Sequence, residues 1–169
     1  QFKQDLKQGY KDNSFNCKNK EHVLAEILYI TSNALASQSI YYLSDFYLNL
    51  AKYLNENFNS YNILIAENFY NTDNFEEAKK VYYNLSKKGK AYQWYSSKQL
   101  AKIYIKENNK DYALKIMNDA YNSLGSKDIY EIFDYAEYLK NNEKFKESIF
   151  YYSKVIDKVE TNHPLFVES

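Results

Sequence analysis

Residues 74–85 read NFEEAKKVYYNL, and this short stretch decides the fold. Ala78, Tyr82 and Leu85 follow one another at intervals of four and three residues, which places all three on one face of an α-helix. An Asn and two Glu residues precede them, as expected where a helix begins. The pattern therefore predicts an amphipathic helix whose buried face has one small and two large residues.

The same triplet recurs along the chain. Its small members are Ser44, Ala78, Ala113 and Ser148, at spacings of 34, 35 and 35 residues. The large residues four positions later are Leu48, Tyr82, Met117 and Tyr152, and the apolar residues seven positions later are Ala51, Leu85, Ala120 and Val155. A period of this length is typical of helical repeat proteins.

A second set of positions lies twelve residues before the first. Its small members are Ser32, Ala66, Ala101 and Ala136, and the large residues three positions later are Leu35, Phe69, Tyr104 and Leu139. The Asn-rich and Asp-rich segments between the two sets are typical of turns. The two sets predict a repeated helical hairpin. A four-helix bundle is the alternative, but it gives no reason for the regular spacing of the small residues.

The hairpin pattern resembles the tetratricopeptide repeat (TPR). Residues 74–78 (NFEEA) and 144–148 (KFKES) resemble the opening of the second TPR helix, and the resemblance covers about residues 21–158. Asp73, Asn108 and Glu143 stand where the TPR turn usually has Gly, and Lys110 stands where an aromatic is expected. The Pro that usually ends each repeat is absent. The order of segments is also similar to long TPR proteins of alphaproteobacteria, several of which are exported.

The resemblance implies an all-α fold, a right-handed TPR-like superhelical solenoid of antiparallel helix pairs. The expected domains are a partial upstream helix and polar loop (1–20), four repeats within 21–158 (21–55, 60–87, 91–123 and 128–158) and a C-terminal tail (159–169). The expected helix pairs are 21–37 with 39–55, 60–72 with 75–87, 91–107 with 109–123, and 128–140 with 144–158. Because the chain begins with Gln1, we also expect it to be part of a longer array.

Composition argues against several function classes. The 22 basic residues balance 22 acidic ones and are all Lys, so we expect no nucleic-acid partner. No run of 18 apolar residues occurs, so we expect no membrane insertion. No catalytic, phosphate-binding or metal-binding motif is present. His22, His163 and Cys17 are interpreted as solvated side chains, and we expect no enzyme activity, cofactor or metal.

In a stacked array the first helix of each pair lines a concave groove. The groove-facing residues predicted from helical spacing are Tyr29 and Asn33 in the first repeat, Ile63, Glu67 and Tyr70 in the second, Tyr95, Lys98 and Lys102 in the third, and Tyr130, Phe133, Asp134 and Glu137 in the fourth. A clamp for a peptide carboxylate could use Asn33, Lys98 and Lys102, but Glu67 disfavours it.

The sequence therefore predicts a non-enzymatic scaffold that binds a peptide or protein segment in this groove. The alternative is a purely architectural segment of a larger protein whose activity lies elsewhere. The similarity to exported proteins suggests the periplasm, with the cytoplasm as the alternative. Neither the partner's identity nor the oligomeric state follows from the sequence.

Overall fold

The computed structural model describes residues 15–168, with side chains to residue 166, and this part of the chain is all-α and contains no strand. Its nine helices are α1 (Lys20–Ser37), α2 (Tyr41–Leu54), α3 (Ser60–Asn71), α4 (Phe75–Leu85), α5 (Lys90–Lys106), α6 (Lys110–Ser123), α7 (Ile129–Asn141), α8 (Phe145–Ile156) and α9 (Pro164–Glu168). A short 3-10 turn, Ser86–Lys88, follows α4. The helix expected at residues 2–9 lies outside the described residues.

The helices pack as consecutive pairs in two compact units, Gln1–Lys88 and Gly89–Ser169. In the first unit α1 packs on α2 and α3 on α4, and in the second α5 packs on α6 and α7 on α8. The ends of α1 to α8 lie within two residues of their expected positions. The prediction of an all-α chain of paired helices is thus confirmed, and the pairing is compatible with a helical repeat.

One turn geometry closes all four pairs. Its central residue has a left-handed backbone, with φ of 62°, 57°, 60° and 62° at Ser39, Asp73, Asn108 and Glu143, respectively. In each turn the next amide donates to the carbonyl five residues before it, at 2.8–2.9 Å. This bond is the signature of a Schellman cap, in which the left-handed residue is usually Gly. Asp73, Asn108 and Glu143 thus adopt the conformation that the family pattern assigns to Gly.

The core is built from the periodic positions. None of the twelve residues of the recurring triplet is more than 7% exposed, and the four small residues of the second set are fully buried. Small side chains at both sets let the two helices of a pair approach closely. Across α8 and α7, the Ser148 hydroxyl donates to the Ala136 carbonyl at 2.9 Å. Burial is therefore confirmed for the triplet and for the small residues of the second set, whereas Leu35, Phe69 and Tyr104 of the second set are half-buried.

Polar side chains cap three of the helices. The Asn19 side chain accepts the amide of Glu21 at 2.8 Å at the start of α1. At the start of α7, Asp128 accepts the amide of Glu131 at 2.8 Å, and the Glu131 carboxylate accepts the Asp128 amide at 3.0 Å. This reciprocal pair is a capping box. At the start of α6, the Asn109 side chain accepts the amide of Tyr112 at 3.3 Å.

The segment expected as a tail contains the short helix α9. Its Leu165 is buried and packs with Ile132 of α7 and Val155 of α8. The side chain of His163 accepts the Leu165 amide at 3.2 Å, just before the helix. No helix in residues 15–168 has both the length and the hydropathy that a membrane crossing requires.

Candidate interaction surface

In the first unit, the predicted groove residues of α1 are engaged in local contacts. The Tyr29 ring lies 5.8 Å from the Phe58 ring and 5.3 Å from the Tyr61 ring, measured between centroids. Tyr29 is therefore half-buried against the core of this unit. Asn33 is exposed, and its Nδ2 donates to the carbonyl of Tyr29 at 2.9 Å.

The predicted groove residues of α3 are all half-buried. Ile63, Glu67 and Tyr70 share this intermediate exposure, and the Tyr70 ring lies 5.9 Å from the Phe75 ring at the start of α4. A pocket of about 470 Å³ in this unit is formed by other residues: Lys52, Glu56, Asn57, Asn62, Val81, Asn84, Leu85 and Lys88. Sequence reasoning missed this pocket because only one of its eight residues, Asn62, lies on a first helix.

In the second unit, Asp134 of α7 links to α5 through two donors. Lys98 Nζ lies 2.5 Å from Asp134 Oδ2, and Trp94 Nε1 donates to the same oxygen at 3.3 Å. Trp94 is only 6% exposed, so its ring fixes one side of this arrangement. A carboxylate that accepts from two donors on one helix holds α5 and α7 in register.

Glu137, one turn further along α7, is held by two donors of its own. Lys140 and the Tyr152 hydroxyl both donate to its Oε1. The hydrogen bond from Lys140, followed by that from Tyr152, lowers the pKa of Glu137 below its ordinary value. The carboxylate is therefore ionised and paired at neutral pH.

These side chains border a pocket of about 400 Å³ between α5, α6 and α7, here called the α5–α7 pocket. Its lining includes four predicted groove residues, namely Lys98, Lys102, Asp134 and Glu137, and six others, namely Ile105, Lys110, Met117, Tyr138, Asn141 and Asn142. The structure thus brings together the predicted residues of the third and fourth repeats that carry charge.

Two of the three ammonium groups of this pocket differ from the third in their pairing. Lys98 is paired with Asp134, whereas Lys102 and Lys110 are exposed and form no ion pair with a residue of the described part. Met117, fully buried, and the half-buried Ile105 and Tyr138 supply apolar surface beside them. The pocket therefore combines an apolar floor with unpaired positive charge.

Sequence reasoning missed Lys110 as a pocket residue, although a signal was present. The equivalent residue is aromatic in the other three pairs, at Tyr41, Phe75 and Phe145. A Lys at this position departs from the pattern, and the structure places it at the pocket. Met117 was also missed. The repeat pattern assigns it to the core and gives no sign that it also lines the pocket.

The remaining predicted groove residues lie apart from the pocket lining. Tyr95 is half-buried. Tyr130 is 59% exposed, and its ring lies 6.4 Å from the His163 ring. Phe133 packs against the Tyr152 ring at 5.6 Å and against the core cluster that α9 completes.

Residues 15–168 contain no group of three or more His, Cys, Asp or Glu side chains arranged to hold a metal ion. Cys17 is exposed, and the His22 side chain accepts the amide of Asn16 at 3.1 Å.

Comparison with known protein families finds no family that matches this chain, and comparison with curated proteins finds no relative. The class that the fold defines is an all-α protein of paired helices, compatible with a helical repeat.

Proposed function

We propose that this chain is a bacterial TPR-like scaffold that binds a protein segment, with the α5–α7 pocket as its main contact. The proposal includes the right-handed superhelix that the TPR resemblance implies. The observation that carries it is the convergence of Lys98, Lys102, Asp134 and Glu137, all expected on a binding face, on one pocket with an apolar floor. Pockets that combine apolar walls with a few placed charges are typical of ligand sites.

The charges of the pocket select the chemistry of the segment. Asp134 and Glu137 are neutralised by donors within the chain, whereas Lys102 and Lys110 have no such partner in the described residues. An incoming acidic side chain would pair with these two ammonium groups, and a neighbouring apolar side chain would cover Met117 and Ile105. We therefore propose a segment in which an acidic residue lies beside an apolar one.

In the experiment, the whole chain is screened against an array of peptides. Each peptide that binds is then titrated into the chain. Trp94 is the only Trp and donates to Asp134, so a bound segment should change its fluorescence. We expect enrichment of acidic–apolar peptides and about tenfold weaker binding by Lys102→Glu and Lys110→Glu, a change of about 1.4 kcal/mol. The matched control is Lys115→Glu, because Lys115 is exposed on α6 and does not line the pocket. Equal loss in all three variants would contradict the proposal.

An architectural role is the second candidate, and one observation favours it. Tyr29 and Phe133, two aromatic residues predicted to face the groove, are half-buried and pack against core clusters. Failure of the whole chain to bind any peptide in the screen would favour this role over the scaffold.

A further inference from the structure

In the first unit, the second helix of one pair contacts the first helix of the next pair through two polar pairs. Asp45 of α2 accepts from Asn68 Nδ2 of α3 at 2.7 Å, and this is the first contact pair. Lys52 Nζ of α2 donates to Asn62 Oδ1 of α3 at 3.0 Å, and this is the second contact pair. On α2 the two positions lie one and eight residues after the small residue Ser44.

The same two positions of α6 serve the same purpose in the second unit. Counted from Ala113, they are Leu114 and Tyr121. Tyr121 stacks on Tyr135 of α7, with ring centroids 4.1 Å apart and planes 10° apart. Leu114 packs against the cluster that contains both rings. Both units therefore use these two positions to receive the first helix of the following pair.

On α8 the two equivalent positions carry large apolar side chains that are exposed. Counted from Ser148, they are Ile149, which is 65% exposed, and Ile156, which is 36% exposed. Phe145 and Phe150 beside them are 58% and 56% exposed. Leu165 of α9 packs on this pair of helices and leaves these four side chains exposed.

The complementary surface lies on α1. In α3, Tyr61 and Leu64 are 0% and 6% exposed, and they belong to the core cluster that contains Leu48 and Ala51 of α2 and Ala25 of α1. Tyr61 and Leu64 lie five and two residues before the small residue Ala66 of α3. The residues five and two positions before Ser32, the equivalent small residue of α1, are Ile27 and Ile30. These are 55% and 60% exposed.

The two exposed surfaces match each other in polarity. In the first contact pair, Ile149 of α8 corresponds to Asp45 of α2 and Ala34 of α1 corresponds to Asn68 of α3. Both Ile149 and Ala34 are exposed. In the second contact pair, Ile156 of α8 corresponds to Lys52 of α2 and Leu28 of α1 corresponds to Asn62 of α3. At both places α8 and α1 carry apolar residues where α2 and α3 carry polar ones. The apolar residues of α1 therefore fit the α8 surface, whereas the polar residues of α3 would not.

We propose that a second copy of this chain stacks its α1 on the exposed face of α8, in the way that α3 stacks on α2. The contact joins two different surfaces, so each copy keeps one surface available for another copy. Burial of Ile149, Ile156, Ile27 and Ile30 drives the association. This contact does not involve the residues of the α5–α7 pocket and does not depend on the proposed function.

Sedimentation velocity over a concentration series tests the contact with two single variants. Ile149→Lys alters the α8 surface and Ile27→Lys alters the α1 surface, and both residues are exposed, so the fold is retained. Tyr53→Lys is the matched control, because Tyr53 is 88% exposed. The residues at the same position of the other three second helices, nine residues after the small residue, are exposed as well, namely Lys87, Asn122 and Asp157. Circular dichroism of each variant checks its helix content.

The expected wild-type average mass rises with concentration beyond that of a dimer. Each Ile variant alone should need at least about tenfold more protein to associate, because a buried Lys ammonium without a partner costs more than 1.4 kcal/mol. An equal mixture of the two variants should form a dimer and stop there, since only one intact pair of surfaces remains. A monomeric wild type, a monomeric mixture, or equal loss with Tyr53→Lys would overturn the proposal.

Discussion

Glu143 has a left-handed backbone at the turn between α7 and α8, where its side chain is exposed. We expect Glu143→Gly to raise the free energy of unfolding by about 0.5 kcal/mol. A residue with a Cβ destabilises the folded state by about 1–2 kcal/mol in this conformation, and Gly removes that cost. The greater conformational freedom of Gly in the unfolded chain offsets about 0.5–1 kcal/mol of the gain. Urea unfolding followed by Trp94 fluorescence measures the change. Glu143→Ala is the control and should give no gain, because Ala keeps the Cβ.

Tyr138 carries a buried hydroxyl without a hydrogen-bond partner in the described part of the chain. We expect Tyr138→Phe to stabilise the second unit by about 1 kcal/mol, because the uncompensated hydroxyl is removed. Tyr135→Phe is the matched control, since the Tyr135 hydroxyl donates to Asn118 and its loss should destabilise by a similar amount. The urea midpoint, read from Trp94, should move in opposite directions. A shift of the same sign in both variants would contradict this assignment.

At the residue scale, burial was predictable and exposure was not. Ser44, Ala78, Ala113 and Ser148 were identified as buried because helical periodicity fixes which side of a helix faces its partner. Periodicity does not say what covers the other sides. Tyr29 was placed on the groove by spacing alone, and the rings of Phe58 and Tyr61, which pack against it, could not be located from the sequence.

At the scale of helices, three tyrosine rings join α6, α7 and α8. Tyr121 stacks on Tyr135, and Tyr151 meets both rings edge-on at 5.3 and 4.9 Å. Edge-on and offset pairs of this kind add to the energy of burial. Paired helices and their lengths followed from the repeat, whereas this cluster did not, because the 20 tyrosines of the chain are also common on its surface.

Three tyrosines, Tyr121, Tyr135 and Tyr138, make the second unit sensitive to alkali. Burial is the largest cause that raises the pKa of Tyr121, Tyr135 and Tyr138 to about 12. An unfolded tyrosine ionises near pH 10. Between about pH 10 and 12 the unfolded chain therefore binds fewer protons than the folded one, and the free energy of unfolding falls as pH rises. Below about pH 10 this contribution is fully present.

Urea midpoints read from Trp94 at pH 9, 10 and 11 measure this loss. We expect the midpoint to fall steadily above about pH 10, and to fall less in Tyr138→Phe, which lacks one of the three hydroxyls. An identical fall in the variant and the wild type would show that Tyr138 does not contribute.

At the scale of the whole molecule, the formal net charge is zero, so no general field governs its associations. The two proposed contacts should therefore respond differently to salt. Raising NaCl from about 0.05 to 0.5 M shortens the screening length and should weaken peptide binding at Lys102 and Lys110. Association of copies through Ile149 and Ile27 should be unchanged or stronger, because it buries apolar surface. Fluorescence titration and sedimentation at the two salt concentrations measure both effects, and a parallel loss would contradict the distinction.

The succession of paired helices was predictable at this scale, and the composition of the α5–α7 pocket only partly so. A repeat of 34 or 35 residues is visible in the small residues alone. The α5–α7 pocket depends on Lys110, a departure from the repeat, and on Met117, which the repeat assigns to the core. Individual sites arise where one copy of the pattern differs from the others, and such differences carry no structural meaning until the neighbouring helices are known.

The shared geometry of the four turns also makes the pairs interchangeable modules. Ser39, Asp73, Asn108 and Glu143 have the same left-handed backbone, and the second helix of each pair begins two residues later. A recombinant chain that passes from the first helix of one pair to the second helix of another would keep the turn geometry. Such crossovers would exchange the surface residues of whole helices, including the Lys-bearing face of α5, as single cassettes.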